Sequence, residues 1–256
     1  MDCVVIAGGV PQEEDLLFSY TQGQPKALLD MNGRTMLERV VDAMQDSTQI
    51  EEVVVVGLGS DMGQNFRRAV HHLPGQGGLV SNALAGVEWL NQRRPDAEVI
   101  LVSSSDIPLL TGAMVDDYLD SCRPFDKGIY YSFIAKEAME ARFPGSKRTF
   151  TKLKGVEVAG GDVHLIQPSF ATSNVPLWEA LAAGRKQAWK LARAVGFSVL
   201  FKLLTRRLSF TDIEALVLKV TGHEASVRLN PNAEMAMDGD KPHQVDLLRA
   251  ELAKLA

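Results

Sequence analysis

Residues 1–9 read Met-Asp-Cys-Val-Val-Ile-Ala-Gly-Gly. A short β-branched run, Cys3–Ile6, stops abruptly at Ala7-Gly8-Gly9. An unbroken apolar run of that length suits a strand covered on both faces, as in parallel sheets. Two later runs have the same form: Val53–Val56, four valines ending at Gly57, and Val99–Val102, ending at Ser103-Ser104-Ser105-Asp106. Between them the apolar period lengthens to that of a helix over Thr35–Met44, Met62–His71 and Ala83–Gln92. Strand and helix in alternation predict a doubly wound α/β sheet, mixed but mostly parallel. Ile129–Ile134, Val163–Ile166 and Ser226–Leu229 supply further strands, and Pro242–Leu255 a last helix. Residues 175–222 change character to an almost wholly helical, basic stretch. The expected organisation is therefore a single domain over 1–256, with 175–222 a helical subdomain inserted before the last strand and helix.

The remaining composition sets limits. With 46% hydrophobic and 23% charged residues the chain is an ordinary globular mixture, which excludes a disordered chain or a collagen. Its net charge of −5 argues against general nucleic-acid binding, which depends on neutralising phosphates. Two cysteines, Cys3 and Cys122, lie far apart, and five histidines show no zinc-ligand spacing. No apolar run reaches the roughly 20 residues that cross a bilayer, and the N-terminus lacks the basic region of a signal peptide. A cytoplasmic protein without stable membrane insertion is expected.

In open α/β sheets ligands gather at the carboxyl ends of the strands. Gly8-Gly9 stands there, and glycines allow backbone N–H groups to approach an anion. Lys26, in Gln24-Pro25-Lys26-Ala27, follows as a point charge suited to phosphate. Asp106 closes the third run on the same edge, and Asp238 and Asp240 precede the last helix. Two separated carboxylates can share one Mg²⁺ with a polyphosphate, because Mg²⁺ takes few protein oxygens; helix capping is the other use for such residues. Gly75, Gly77 and Gly78 precede a helix that opens with Ser81 and Asn82, short groups able to meet a base or ribose, or to cap the helix. Gly57, Gly59 and Gly63 imitate a dinucleotide fingerprint at the looser spacing GxGxxxG, with no acidic residue at the ribose position.

The order IAGG, PKALLDMNGRTMLERVVDAM, GGLVSNALAG, SSSDIPLL and DGDKPHQVDLLR resembles the MobA-like nucleotidyltransferases, over most of residues 2–122 and again 226–252. The resemblance implies a GT-A-type fold and Mg²⁺-dependent transfer of a nucleotidyl group from an NTP to an anionic or hydroxylated small-molecule acceptor, with release of pyrophosphate. It implies nucleotide contacts from Ala7, Gly8, Gly9, Lys26, Gly78, Ser81, Asn82 and Asp106. Lys26, Asp106 and Asp240 would be catalytic, with the metal on Asp106 and Asp240. Lys152, Gly161 and Asp162 match the region where relatives meet the acceptor. One departure is clear: the family's Ser-x-Arg-Met-Gly stretch is absent, and residues 10–24 contain no arginine. A glycosyltransferase using a nucleotide-sugar and a catalytically silent nucleotide binder are the alternatives. Residues 180–211 carry seven basic and no acidic residues, whereas the rest of the chain sets 20 basic against 32 acidic. That segment suits a packed helix with a solvated basic face, a surface for an anionic acceptor or lipid headgroup, or a homodimer contact.

Overall fold

A computed structural model describes residues 1–173, 178 and 196–255. In chain order the parallel half contains β1 (Asp2–Ile6), the single-turn α1 (Phe18–Thr21), α2 (Met36–Asp46), β2 (Val53–Val56), β3 (His71–Leu73), α3 (Leu79–Arg93) and β4 (Ile100–Ser104). The chain continues through α4 (Gly112–Cys122), β5 (Ile129–Ala135), α5 (Lys136–Arg142), β6 (Thr151–Leu153), β7 (Val156–Ile166) and α6 (Pro168–Ser173). Beyond residue 195 come α7 (Phe197–Leu204), α8 (Phe210–Thr221), β8 (Ala225–Leu229) and α9 (Pro242–Ala253).

The strands form one sheet in the order β3-β2-β1-β4-β7-β5-β8, with β6 paired to β7. β1 lies parallel to both β2 and β4, and β2 to β3. β7 runs antiparallel to β4 and β5, and β5 pairs β8 in parallel. The sheet is thus mixed and mostly parallel, with β7 the reversed strand. Successive β1 side chains face opposite layers. Cys3 and Val5 join the core under α2, α4 and α9, while Val4 packs with Val54, Val56 and Ile100 against Val87 and Leu90 of α3. Burial on both sides is why these strands are apolar throughout. α2 starts sharply because Thr35 and Glu38 form a capping box, each side chain bonding the other's backbone N–H.

Two sequence expectations change. Residues 62–70 are not helical. Gly63 sits at φ +80, and the following backbone N–H groups bond side chains of α2 instead of helical carbonyls. Asn65 N–H donates to Glu38 Oε1 at 2.6 Å and Arg68 N–H to Gln45 Oε1 at 3.0 Å. His71, expected to end that helix, begins β3. The strand expected at Val163–Ile166 begins seven residues earlier, at Val156, and continues through Gly160-Gly161, where its pairing with β5 shifts register. Of the helical stretch 175–222, α7 and α8 are described; 174–177 and 179–195 lie outside the described residues.

Candidate active site

Three segments converge at the carboxyl edge of β1 and β4. The first is the β1 loop. Ala7 is buried, with its N–H on the Val56 carbonyl at 2.9 Å, and Gly8 and Gly9 are exposed. The Gly9 carbonyl accepts the Lys26 N–H at 2.9 Å, which draws the lysine to this edge. The second is the end of β4, where Ser104 Oγ donates to Asp106 Oδ1 at 2.6 Å and fixes that carboxylate. The third is the turn before α9, whose Gly239 N–H bonds the Asp106 carbonyl at 3.0 Å. A side chain at Gly239 would meet Met36 Cε at 2.5 Å, so the glycine lets the turn pack against Met36 without displacing its end.

Lys26 Nζ is the meeting point. It donates to Asp106 Oδ2 at 2.5 Å and to Asp240 Oδ1, residues 80 and 214 positions away in the chain. Burial opposes charging of both Lys26 and Asp106. The ion pairs override it: the lysine is held above its usual range and the Asp106 carboxyl below its own.

A second cation stands beside the first. Arg148 Nη1 pairs with Asp238 Oδ1, both side chains largely buried. Asp238 is nevertheless pushed up to about 6, first by burial and then by Asp240, with Arg148 working against both. Asp162 lies on β7, one position before the Val163–Ser103 pair, and so at the same edge. Its Oδ2 is buried without a hydrogen-bond partner. Burial, then Asp106 and Asp238, raise its pKa well above the ordinary carboxylate value. Four carboxyl groups therefore face two cations. Among the described residues no three His, Cys, Asp or Glu side chains stand at metal-holding geometry. The pair Asp106 and Asp240, already converging on one positive charge, still fits a hard cation that takes most of its oxygens from water and phosphate.

The remaining expected residues divide. Asn82 is buried beside the site and faces inward: its Oδ1 accepts the Gln76 N–H at 2.7 Å, and its Nδ2 occupies space that a Gly8 side chain would need. Gly57, at φ +103, abuts Gly8 so closely that a side chain on it would meet Gly8 Cα at 2.6 Å. Its glycine is thus required by loop packing. Gly78 is the N-cap of α3, and Ser81 is half-buried in its first turn. Gly161 is buried, where a Cβ would lie 2.1 Å from Ser132 Oγ; it lets β5 and β7 approach. Lys152 is not brought to the cluster. It pairs with Glu157 at 3.3 Å in the β6–β7 hairpin, about 17 Å along β7 from Asp162 at the usual rise per residue. Sequence reasoning missed Arg148 altogether, since it sits in a loop with no periodicity or glycine pattern to mark it. The family resemblance selects Asp240 and passes over Asp238.

The description matched by the chain over residues 3–207 is the MobA-like NTP transferase domain. A hypothetical transferase from Thermus thermophilus is 33% identical, with 95% of this chain and 98% of that chain aligned at a TM-score of 0.81. A 2-C-methyl-D-erythritol 4-phosphate cytidylyltransferase from Thermus thermophilus is 18% identical over 98% of each chain, at a TM-score of 0.55. A CMP:2-keto-3-deoxy-manno-octonic acid synthetase, solved with CTP, is 13% identical over 99% of this chain and 98% of that one, at a TM-score of 0.57. The latter two share the fold. The matched region contains the β1 loop, Lys26 and Asp106 and ends before Asp238 and Asp240, which the turn onto α9 returns to the same edge. By its matched sequence and its fold, the chain belongs to the MobA-like NTP transferase family, enzymes of nucleotidyl transfer.

Proposed function

We propose that the protein transfers a nucleotidyl group from an NTP to a phosphate- or hydroxyl-bearing small molecule, with pyrophosphate as the leaving group, at the edge formed by Gly8, Gly9, Lys26, Asp106 and Asp240. The observation that carries this reading is the convergence of Asp106 and Asp240 on Lys26 from distant parts of the chain. Backbone N–H groups of the β1 loop and the Lys26 ammonium would receive the triphosphate. Lys26 is the only basic residue between Met1 and Arg34, so the β1 loop segment itself offers no other cation. Asp106 and Asp240 would hold Mg²⁺, which when bound supplies charge neutralisation at the reacting phosphate. Lys26 would then exchange its carboxylate partners for phosphate oxygens.

The acceptor oxygen would attack the α-phosphorus as the bond to pyrophosphate breaks. An ionised phosphate acceptor needs no base, and a hydroxyl acceptor would give its proton to the Asp162 carboxylate that accepts from it. Such chemistry depends on positioning and on fixed charge. Asp162 and Arg148 lie on the side where β7 reverses and are suited to orient the acceptor: Arg148 can pair an anionic group, and Asp162 can accept from a hydroxyl. The test is an assay of pyrophosphate release over a panel of NTPs with phosphorylated and hydroxylated acceptors, with and without Mg²⁺. Acceptor-dependent release that requires Mg²⁺ is expected. Saturable NTP binding without release under any combination would replace this reading with a silent binder.

A further inference from the structure

We propose that the exposed face of α7, with the basic residues that follow it, docks the protein peripherally on an anionic phospholipid bilayer. This inference is independent of the reaction proposed above. α7 has two unlike sides. Val199 packs toward the cluster of Leu153, Val158 and Leu208, and Lys202 pairs with Asp212 at 2.7 Å. Phe201 and Leu204, three residues apart and so on one helical face, are 62% and 82% exposed. Neighbouring large side chains left this open mark an interaction surface more often than chance.

The charge pattern selects the occupant. Arg206 and Arg207 follow directly, both exposed, and neither has an ion-pair partner among the described residues. Arg206 lines a cleft of about 460 Å³ with Lys136, Lys152, Glu137, Glu140 and Glu157, where the two lysines pair with Glu140 and Glu157. Residues 196–211, which contain α7, carry three basic and no acidic residues within a chain whose acidic residues outnumber its basic ones, 32 to 27. A second copy meeting this face symmetrically would set like charges together. An anionic bilayer offers an acidic layer over an apolar one. Phe201 and Leu204 can enter at headgroup depth while the arginines stay level with the phosphates. No helix among the described residues is long and apolar enough to cross a membrane, so the contact is peripheral.

The experiment is co-sedimentation of the full chain with phosphatidylcholine vesicles and with vesicles containing a third phosphatidylglycerol. Wild type should pellet with the anionic vesicles alone and be released by salt. Both Phe201→Glu with Leu204→Glu and Arg206→Gln with Arg207→Gln should weaken partition by at least about tenfold, with unchanged melting temperature. Arg206→Lys with Arg207→Lys should keep it. Equal binding to neutral vesicles, no binding to either, or undiminished binding by the folded variants would overturn the proposal. So would a dimer in solution that the Phe201→Glu, Leu204→Glu pair dissolves, since a second copy would then be the occupant.

Discussion

The two halves of the sheet build their shares of the site differently. In the parallel half, β1 and β4 deliver Gly8, Gly9 and Asp106 at strand ends, and each charge is answered: Lys26 bridges Asp106 and Asp240. In the half organised by the reversed strand β7, Asp162 sits within the strand with a partnerless oxygen, and Arg148 meets only one of two nearby carboxylates. On one side both carboxylates bond the same cation; on the other, one carboxyl is left without a partner and burial favours its protonated form. Most of the proposed nucleotide edge follows from local strand-loop rules, with Asp240 returned to it from far along the chain, whereas the proposed acceptor edge is assembled by distant segments.

The sharpest way to break this contrast is to unbalance that shared pairing. Asp106→Asn keeps the shape and removes a charge where the reacting phosphate would lie. The rate of pyrophosphate release should fall by about 10²–10³-fold, the range seen when one preorganised electrostatic contact is lost. The melting temperature should fall only modestly, because Asp240 still pairs with Lys26 once the Asp106 charge is gone. A parallel loss of rate and stability would make Asp106 a structural residue.

Lys26→Ala tests the other arm. Triphosphate affinity measured by calorimetry should drop by roughly tenfold or more, since hydrogen bonds to charged groups contribute about 1.5–3 kcal/mol. Nucleoside affinity should stay within error. Equal loss for both ligands would remove the lysine from the phosphate site.

The halves also differ in which glycines they need. Gly161→Ala would press a methyl into Ser132 Oγ and should cost about 1–3 kcal/mol in urea unfolding, the usual scale for overpacking. Gly9→Ala meets nothing within 4 Å and should be near neutral for folding. The reverse order would show that β5 and β7 tolerate separation better than their packing implies.

The smallest expected effect concerns the uncompensated side. Asp162 and Asp238 have pKa values raised in the fold, so the folded state holds their protons more tightly than the unfolded chain. Their contribution to stability is complete below the unfolded value. It declines as pH rises, for Asp238 between about 4 and about 6. Asp162→Asn should flatten this decline in chemical denaturation across the range, and added Mg²⁺ should flatten it in wild type. A steeper decline in the variant would mean that Asp162 is ionised and stabilising.

What could be read in the sequence follows the same division. β1, β2 and β4 were visible because double burial makes them continuously apolar, and their terminal glycines and Asp106 stood out for the same reason. β7 was cut short because Gly160-Gly161 reads as punctuation, whereas Gly161 is the residue that lets the strand pass Ser132. Residues 62–70 have helical spacing, but their N–H groups are claimed by Glu38 and Gln45 from α2, which no local pattern reveals. Asp240 was found through the resemblance of DGDKPHQVDLLR. Arg148 was not, since only the folded chain puts it beside Asp238.

The abutment of Gly8 on Gly57, with Asn82 wedged against both and holding Gln76, ties two crossover loops and the first turns of α3 into one mechanical piece. With the nucleotide at this edge as proposed, changing its preference is a problem of moving a block, not of swapping a residue. A replacement that shifts the β1 loop must be absorbed by the β2 loop and by the entry to α3 together. Gains in selectivity from directed evolution at this edge would therefore come in coupled sets spread over three segments, with the intermediate single substitutions costing function on the way.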